Sequence, residues 1–108
     1  MSQEKQRSGK VATNRNVRTG EFKKLFDALP EKIRNLAEGA YKQFQKDPHH
    51  SSLRLHQLGD SDKGKHRNGS LSVSITMKYR AIFVVDGSDN VWYWIGSHND
   101  YENFIGDK

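Results

Sequence analysis

Cysteine is absent from the 108 residues, which removes disulfides and thiolate metal sites. Proline occurs only twice, as Pro30 and Pro48, and each falls where a helix is expected to start or stop. No apolar run approaches the roughly 20 residues that cross a bilayer. Residues 1–18 also lack the apolar segment of a secretory signal. The expectation is a cytoplasmic chain with no membrane partner. At this length one modest core, and so one domain, is expected.

What the chain does have is positive charge, unevenly placed. Of the net +5, four units belong to residues 1–18, where Lys5, Arg7, Lys10, Arg15 and Arg18 face only Glu4. That segment has almost no apolar residues, so it cannot offset its own ordering entropy. It is expected to be a flexible basic arm that is either solvated or laid on phosphate or an acidic partner, with a short strand at Val11 to Val17 as an alternative. Residues 19–108 form the expected folded domain. Within it, Arg54, Lys63, Lys65, Arg67, Lys78 and Arg80 give a basic middle, whereas Asp86 to Asp107 hold five acids and no base.

Periodicity predicts the elements. Phe22, Leu25, Phe26 and Leu29 fall at i, i+3, i+4 and i+7, a short helix that Thr19 can cap. Pro30 suits the first turn of a second helix carrying Ile33, Leu36, Ala37, Ala40, Tyr41 and Phe44, and Asp47-Pro48 ends it. Gly39 within that helix is expected to permit close packing. From Leu53 to His56 the period drops to two, a half-buried strand with Arg54 and His56 facing away from Leu53 and Leu55.

Gly59 to Gly69 reads as a long polar loop. Leu71, Val73, Ile75 and Met77 alternate with Ser70, Ser72, Ser74 and Thr76, and two further strands, Tyr79 to Val85 and Val91 to Ile95, are joined by a turn at residues 86–90. Trp92, Tyr93 and Trp94 alternate on a central strand, so the two tryptophans are assigned to core packing. The fold class is α+β: an N-terminal helical hairpin on a curled antiparallel sheet of about four strands.

Three stretches carry a resemblance: Leu29-Pro30-Glu31 through Asp47-Pro48, Tyr79-Arg80-Ala81-Ile82-Phe83, and Trp94-Ile95-Gly96-Ser97-His98-Asn99-Asp100-Tyr101. Together with the element order they resemble the RelE/ParE toxin superfamily from about Phe22 to Phe104. The Gly-Ser-His segment is similar to the branch with histidine-based sites. The resemblance implies a toxin held in check by a cognate antitoxin protein. It implies an endoribonuclease that cuts mRNA in the ribosome, or else an inhibitor of DNA gyrase. By position it makes Arg80 the phosphate-holding arginine, and His98 and His56 the catalytic imidazoles. The paired lysines of RelE-like members stand here as Ser72 and Ser74. A further histidine and aspartate of the branch have no counterpart near residues 75–79, with His66 in the long loop a candidate to approach from elsewhere, and the missing lysines keep a non-catalytic relative open as a third reading.

Those residue types suit metal-free RNA cleavage. The ribose 2′-hydroxyl attacks the adjacent phosphate, which requires a base, an acid and a cation. Imidazole, with an ordinary pKa of about 6.5, serves as either proton carrier. Arginine grips phosphate oxygens in two bonds. Arg54, Lys63, Lys65, His66 and Arg67 are expected RNA contacts, and Tyr101 and Phe104 are candidate base-stacking rings. Arg80 has an alternative as an ion-pair partner of Asp100 or Glu102. The His49-His50 pair has no accompanying ligand set, so neither a metal nor another cofactor is expected.

Overall fold

A computed structural model of the chain describes residues 11, 15–60 and 64–106. The remainder of the basic arm, and Lys63 in the long loop, lie outside the described residues. The elements run β1 (Arg15–Arg18), α1 (Gly20–Asp27), α2 (Glu31–Lys46), a 3-10 turn (Ser51–Leu53), β2 (His56–Gln57), β3 (Ser70–Thr76), β4 (Tyr79–Asp86), β5 (Asp89–Ser97) and α3 (His98–Ile105). The strands form one sheet in the order β1-β5-β4-β3-β2.

The α+β class and the helical hairpin match the expectation, and three features differ from it. The end of the basic segment is a fifth strand, β1, which pairs with β5 in parallel and makes the sheet mixed. The strand expected over Leu53 to His56 is reduced to His56–Gln57. His50 accepts a hydrogen bond from the Ser52 amide and so caps a 3-10 turn, after which Arg54 at φ 47° reverses the chain. Gly39 is exposed, with open space around its Cα, so it serves no close packing.

Strand alternation separates two apolar layers. Leu71, Val73, Ala81, Phe83 and Trp92 face α1 and α2, where Phe22, Ala37 and Phe44 meet them. The Phe44 ring stands edge-on to Phe83 and Trp92, with centroids 5.5 and 5.1 Å away, a favoured aromatic geometry. Thr19 caps α1 by accepting from the Phe22 amide at 3.1 Å, and its own amide reaches the Trp92 carbonyl. The first helix is thereby hung directly on the central strand.

The opposite face of the sheet carries Ile82, Tyr93 and Trp94 beneath Tyr101, Phe104 and Ile105 of α3. The register explains why two consecutive residues of β5 share that side. Ile82 pairs with Trp94 but Phe83 pairs with Trp92, leaving Tyr93 as an extra bulged residue. Gly96 then makes room for the Trp94 ring, since a Cβ there would lie 2.8 Å from the indole. Ser97 caps α3 by accepting from the Asp100 amide, and Gly106 ends it in the left-handed conformation. The Ser97 to Asp100 spacing and that glycine are ordinary helix boundary signals.

Candidate active site on the face beneath helix α3

Arg80 lies on β4 opposite Ser74 of β3 and Gly96 of β5. Directly paired residues of antiparallel strands project to the same side, so Arg80 and Ser74 share the α3 face. The Arg80 Nη1 donates to Ser74 Oγ at 3.1 Å. Its guanidinium carbon sits 5.0 Å from the centroid of the Tyr101 ring, within cation–π range. The alternative pairing with Asp100 or Glu102 is not formed.

His98 is the first residue of α3. Its amide donates to the Lys78 carbonyl at 2.7 Å, which ties the helix start to the β3–β4 turn. Its ring lies 6.2 Å from the same Tyr101 ring at an interplanar angle of 24°, and Nε2 is 3.0 Å from Glu102 Oε2. Tyr101 is only 5% exposed and packs against Trp94. One buried ring therefore carries both the guanidinium and the imidazole.

Unpaired polar atoms concentrate here. Arg80 Nε, His98 Nδ1 and Ser72 Oγ are buried without a hydrogen-bond partner. Ser72 projects to the same side as Ser74, two residues along β3. Buried polar groups are ordinarily satisfied; these three atoms, like His66 Nδ1 elsewhere, lack a partner and are closed to solvent, so a polar ligand completes them only where covering side chains move aside.

His56 shares that face but not the contact. It pairs directly with Ser72 from the edge strand β2 and stays exposed, with Nδ1 3.2 Å from the Arg54 carbonyl. Strand spacing and rise separate its backbone from that of Arg80 by about 12 Å. Arg54 is exposed and its Nη2 reaches Met77 Sδ in the β3–β4 turn, beside the Lys78 carbonyl that holds His98. Lys78 is exposed in that turn, at the rim of the site.

The remaining predicted contacts lie elsewhere. The Lys65 amide donates to the Phe104 carbonyl at 2.6 Å. His66 is 6% exposed, with Nε2 2.7 Å from the Gly59 carbonyl. Arg67 places its guanidinium 4.5 Å from the centre of the Tyr93 ring. These contacts fasten the loop to the C-terminal end of α3 and to Ser70, which at four residues along β3 is about 13 Å from Ser74. Phe104 stacks on Trp94 with centroids 5.0 Å apart, and the Tyr101 ring is covered. Both rings are committed to packing within the protein.

Sequence reading passed over Glu102, Ser72, Ser74 and Lys78 as members of the site. The His98 to Glu102 spacing of four was the available sign of the first, given a helix there. Among the described residues no group of three His, Cys, Asp or Glu side chains could hold a metal ion, and no helix is long and apolar enough to cross a membrane.

Known proteins bear on this geometry at two levels. No curated protein matches the chain in sequence. Three solved structures share the fold. YafQ from E. coli aligns at a TM-score of 0.63 with 12% identity, covering 80% of this chain and 94% of that one. The YoeB/ParE toxin from Agrobacterium tumefaciens gives 0.61 and 14%, covering 79% and 99%. A copper-bound mutant toxin from Helicobacter pylori gives 0.55 and 18%, covering 80% and 96%. At such identities the likeness concerns the fold alone. The sequence pattern of the ParE-like toxin domain matches residues 31–103, more than half of the chain. The chain accordingly belongs to the ParE-like toxin domain family of the RelE/ParE superfamily, the toxin halves of toxin–antitoxin systems.

Proposed function

We propose that this toxin is a metal-independent endoribonuclease that cuts mRNA on the ribosome, and so acts in the cytoplasm. The observation that carries the reading is the sharing of the Tyr101 ring by Arg80 and His98, each with a buried nitrogen lacking a partner. A phosphodiester supplies what both lack. A phosphate oxygen accepts from Arg80 Nε, while the neighbouring 2′-hydroxyl donates to the imidazole. The 2′-oxygen then bonds to phosphorus as the bond to the 5′-oxygen breaks. The 2′ proton passes to one imidazole and the 5′-oxygen takes a proton from another, leaving a 2′,3′-cyclic phosphate. His98 is the first of these, and His56, across Ser72 on the same face, is the second. Lysine pairs are not required on this reading, because the imidazoles carry the protons and Arg80 carries the charge.

Lys65 and Arg67, exposed at the other end of α3, would hold flanking phosphates, as would Arg54 and the basic arm; His66, buried on the Gly59 carbonyl, would not. Such contacts add affinity without sequence preference. The family pattern supports a second reading, inhibition of DNA gyrase, which needs neither imidazole.

Induction of the chain in bacteria, alongside His98→Ala and Arg80→Ala, separates the two when growth, mRNA ends and plasmid supercoiling are followed together. Growth arrest with new mRNA ends that vanish in both variants supports the nuclease. Loss of supercoiling with intact mRNA supports gyrase inhibition and removes the nuclease.

A further inference from the structure

The contact between His98 and Glu102 is open to two interpretations. An exposed i,i+4 pair on a helix is commonly a weak surface ion pair. Three observations argue for more. His98 cannot drift, because Ser97 caps α3, the Lys78 carbonyl holds the His98 amide, and the ring lies against Tyr101. Glu102 Oε2 lies 3.0 Å from Nε2, so a proton on that nitrogen has an acceptor. The other nitrogen, Nδ1, is buried with no partner.

A proton on Nδ1 would be a buried donor with nothing to bond, a costly arrangement, whereas an unshared lone pair there is better tolerated. Carboxylate partners commonly fix a histidine's tautomer and ring orientation in this way.

We propose that Glu102 is a positioning residue: it fixes the His98 proton on Nε2 and thereby presents Nδ1 as the basic atom of the site. The catalytic half of this statement rests on the nuclease reading above, and the tautomer half does not. In cleavage, small movements of the side chains that cover Nδ1 admit the 2′-hydroxyl, Nδ1 takes its proton, and Glu102 stabilises the imidazolium that forms. His98 thus enters the reaction as the base, which leaves the acid to another group. Glu102→Gln is the informative change, since an amide nitrogen can donate to Nε2 and draw the ring into the opposite tautomer. Glu102→Ala, which leaves Nε2 to water, is the second variant.

The experiment is nitrogen-15 NMR of the His98 ring in the full chain at pH 8, where an ordinary imidazole is neutral, with His98→Ala used to assign the signals. The expected result is a protonated Nε2 and an unprotonated Nδ1 in the wild type, lost or mixed in both Glu102 variants. Cleavage is expected to fall about tenfold or more with either change, with the melting temperature unaltered. A wild-type proton on Nδ1, or the same tautomer in all three proteins, overturns the proposal. Altered tautomers with undiminished cleavage overturn its catalytic half. Should the wild type cut no RNA, the nuclease reading fails by itself, and the ring spectra still decide whether Glu102 sets the tautomer.

Discussion

The indole nitrogen of Trp92 donates to the side-chain oxygen of Asn16 at 3.0 Å, so a core residue of β5 is bonded to the short parallel strand at the edge of the sheet. The same oxygen accepts from Asn90 Nδ2 at 3.0 Å, and Arg15 Nε reaches Asp89 at 3.1 Å. Side chains, as well as backbone pairing, therefore seat β1. Asn16→Ala removes the acceptor and leaves the Trp92 N–H without it. Loss of a buried partner costs about 1–3 kcal/mol, and urea unfolding of the variant is expected to show a loss in that range. No change in stability would mean that β1 is held by its backbone alone.

Two networks decide how much of this fold was legible beforehand. The helical stripes and the β3 alternation depend on residues close in sequence and were legible, although the serine side of β3, expected to face outward, is buried. β1 depends on Asn16 meeting Asn90 and Trp92, partners more than seventy positions away, which no local pattern displays. The α3 helix is signalled only by its Ser97 cap, by Asp100 in its first turn and by Gly106 at its end, a stretch too short to show a clear apolar period. At the site, the positions of Arg80, His98 and His56 came from resemblance. The meeting of Arg80 and His98 on Tyr101 came from α3, which lays one ring against residues of two elements, β4 and α3 itself. Tyr101 and Phe104 looked like free aromatic rings because burial by a helix packed on the far face of the sheet leaves no periodic trace in eight residues.

Gly64 approaches the last turn of α3 so closely that a Cβ on it would overlap the Ile105 carbonyl carbon. Backbone cannot swing away as a side-chain tip can. Gly64→Ala is expected to push the loop off α3 and to cost about 1–3 kcal/mol, as for other overpacked positions. The Lys65 amide, bonded to the Phe104 carbonyl, should then exchange its hydrogen faster. Unchanged exchange at Lys65 would show that the loop adapts without leaving the helix.

Tyr101 is a platform rather than a base-stacking ring, and two substitutions test that. Tyr101→Phe preserves the ring that Arg80 and His98 contact, so RNA cleavage is expected to stay within about fivefold of wild type, the scale of a cation–π difference. Tyr101→Ala removes a buried ring packed on Trp94 and is expected to lower unfolding free energy by about 3–5 kcal/mol, as for other buried aromatics. A stable Tyr101→Ala protein would contradict the packing described for α3.

Arg80 uses one arm of its guanidinium on Ser74 while Nε remains without a partner. That division is what a planar fork allows and a single ammonium does not. Arg80→Lys keeps the charge, yet a lysine that bonds Ser74 cannot also present a second fixed donor to phosphate. Cleavage is expected to fall about 100-fold, comparable to loss of one preorganised donor in other sites. Stability should move by no more than about 1 kcal/mol, the usual worth of such a cation–π contact. Single-turnover cleavage of a short RNA in the presence of ribosomes, beside urea unfolding of both proteins, measures the two quantities. If Arg80→Lys cleaves at the wild-type rate, charge alone suffices at this position and the two-bond grip has no part in the reaction. If instead both cleavage and stability collapse, Arg80 is chiefly the strut that holds Tyr101 against β4, and the phosphate must be held by another cation of the rim, with exposed Lys78 the first to examine.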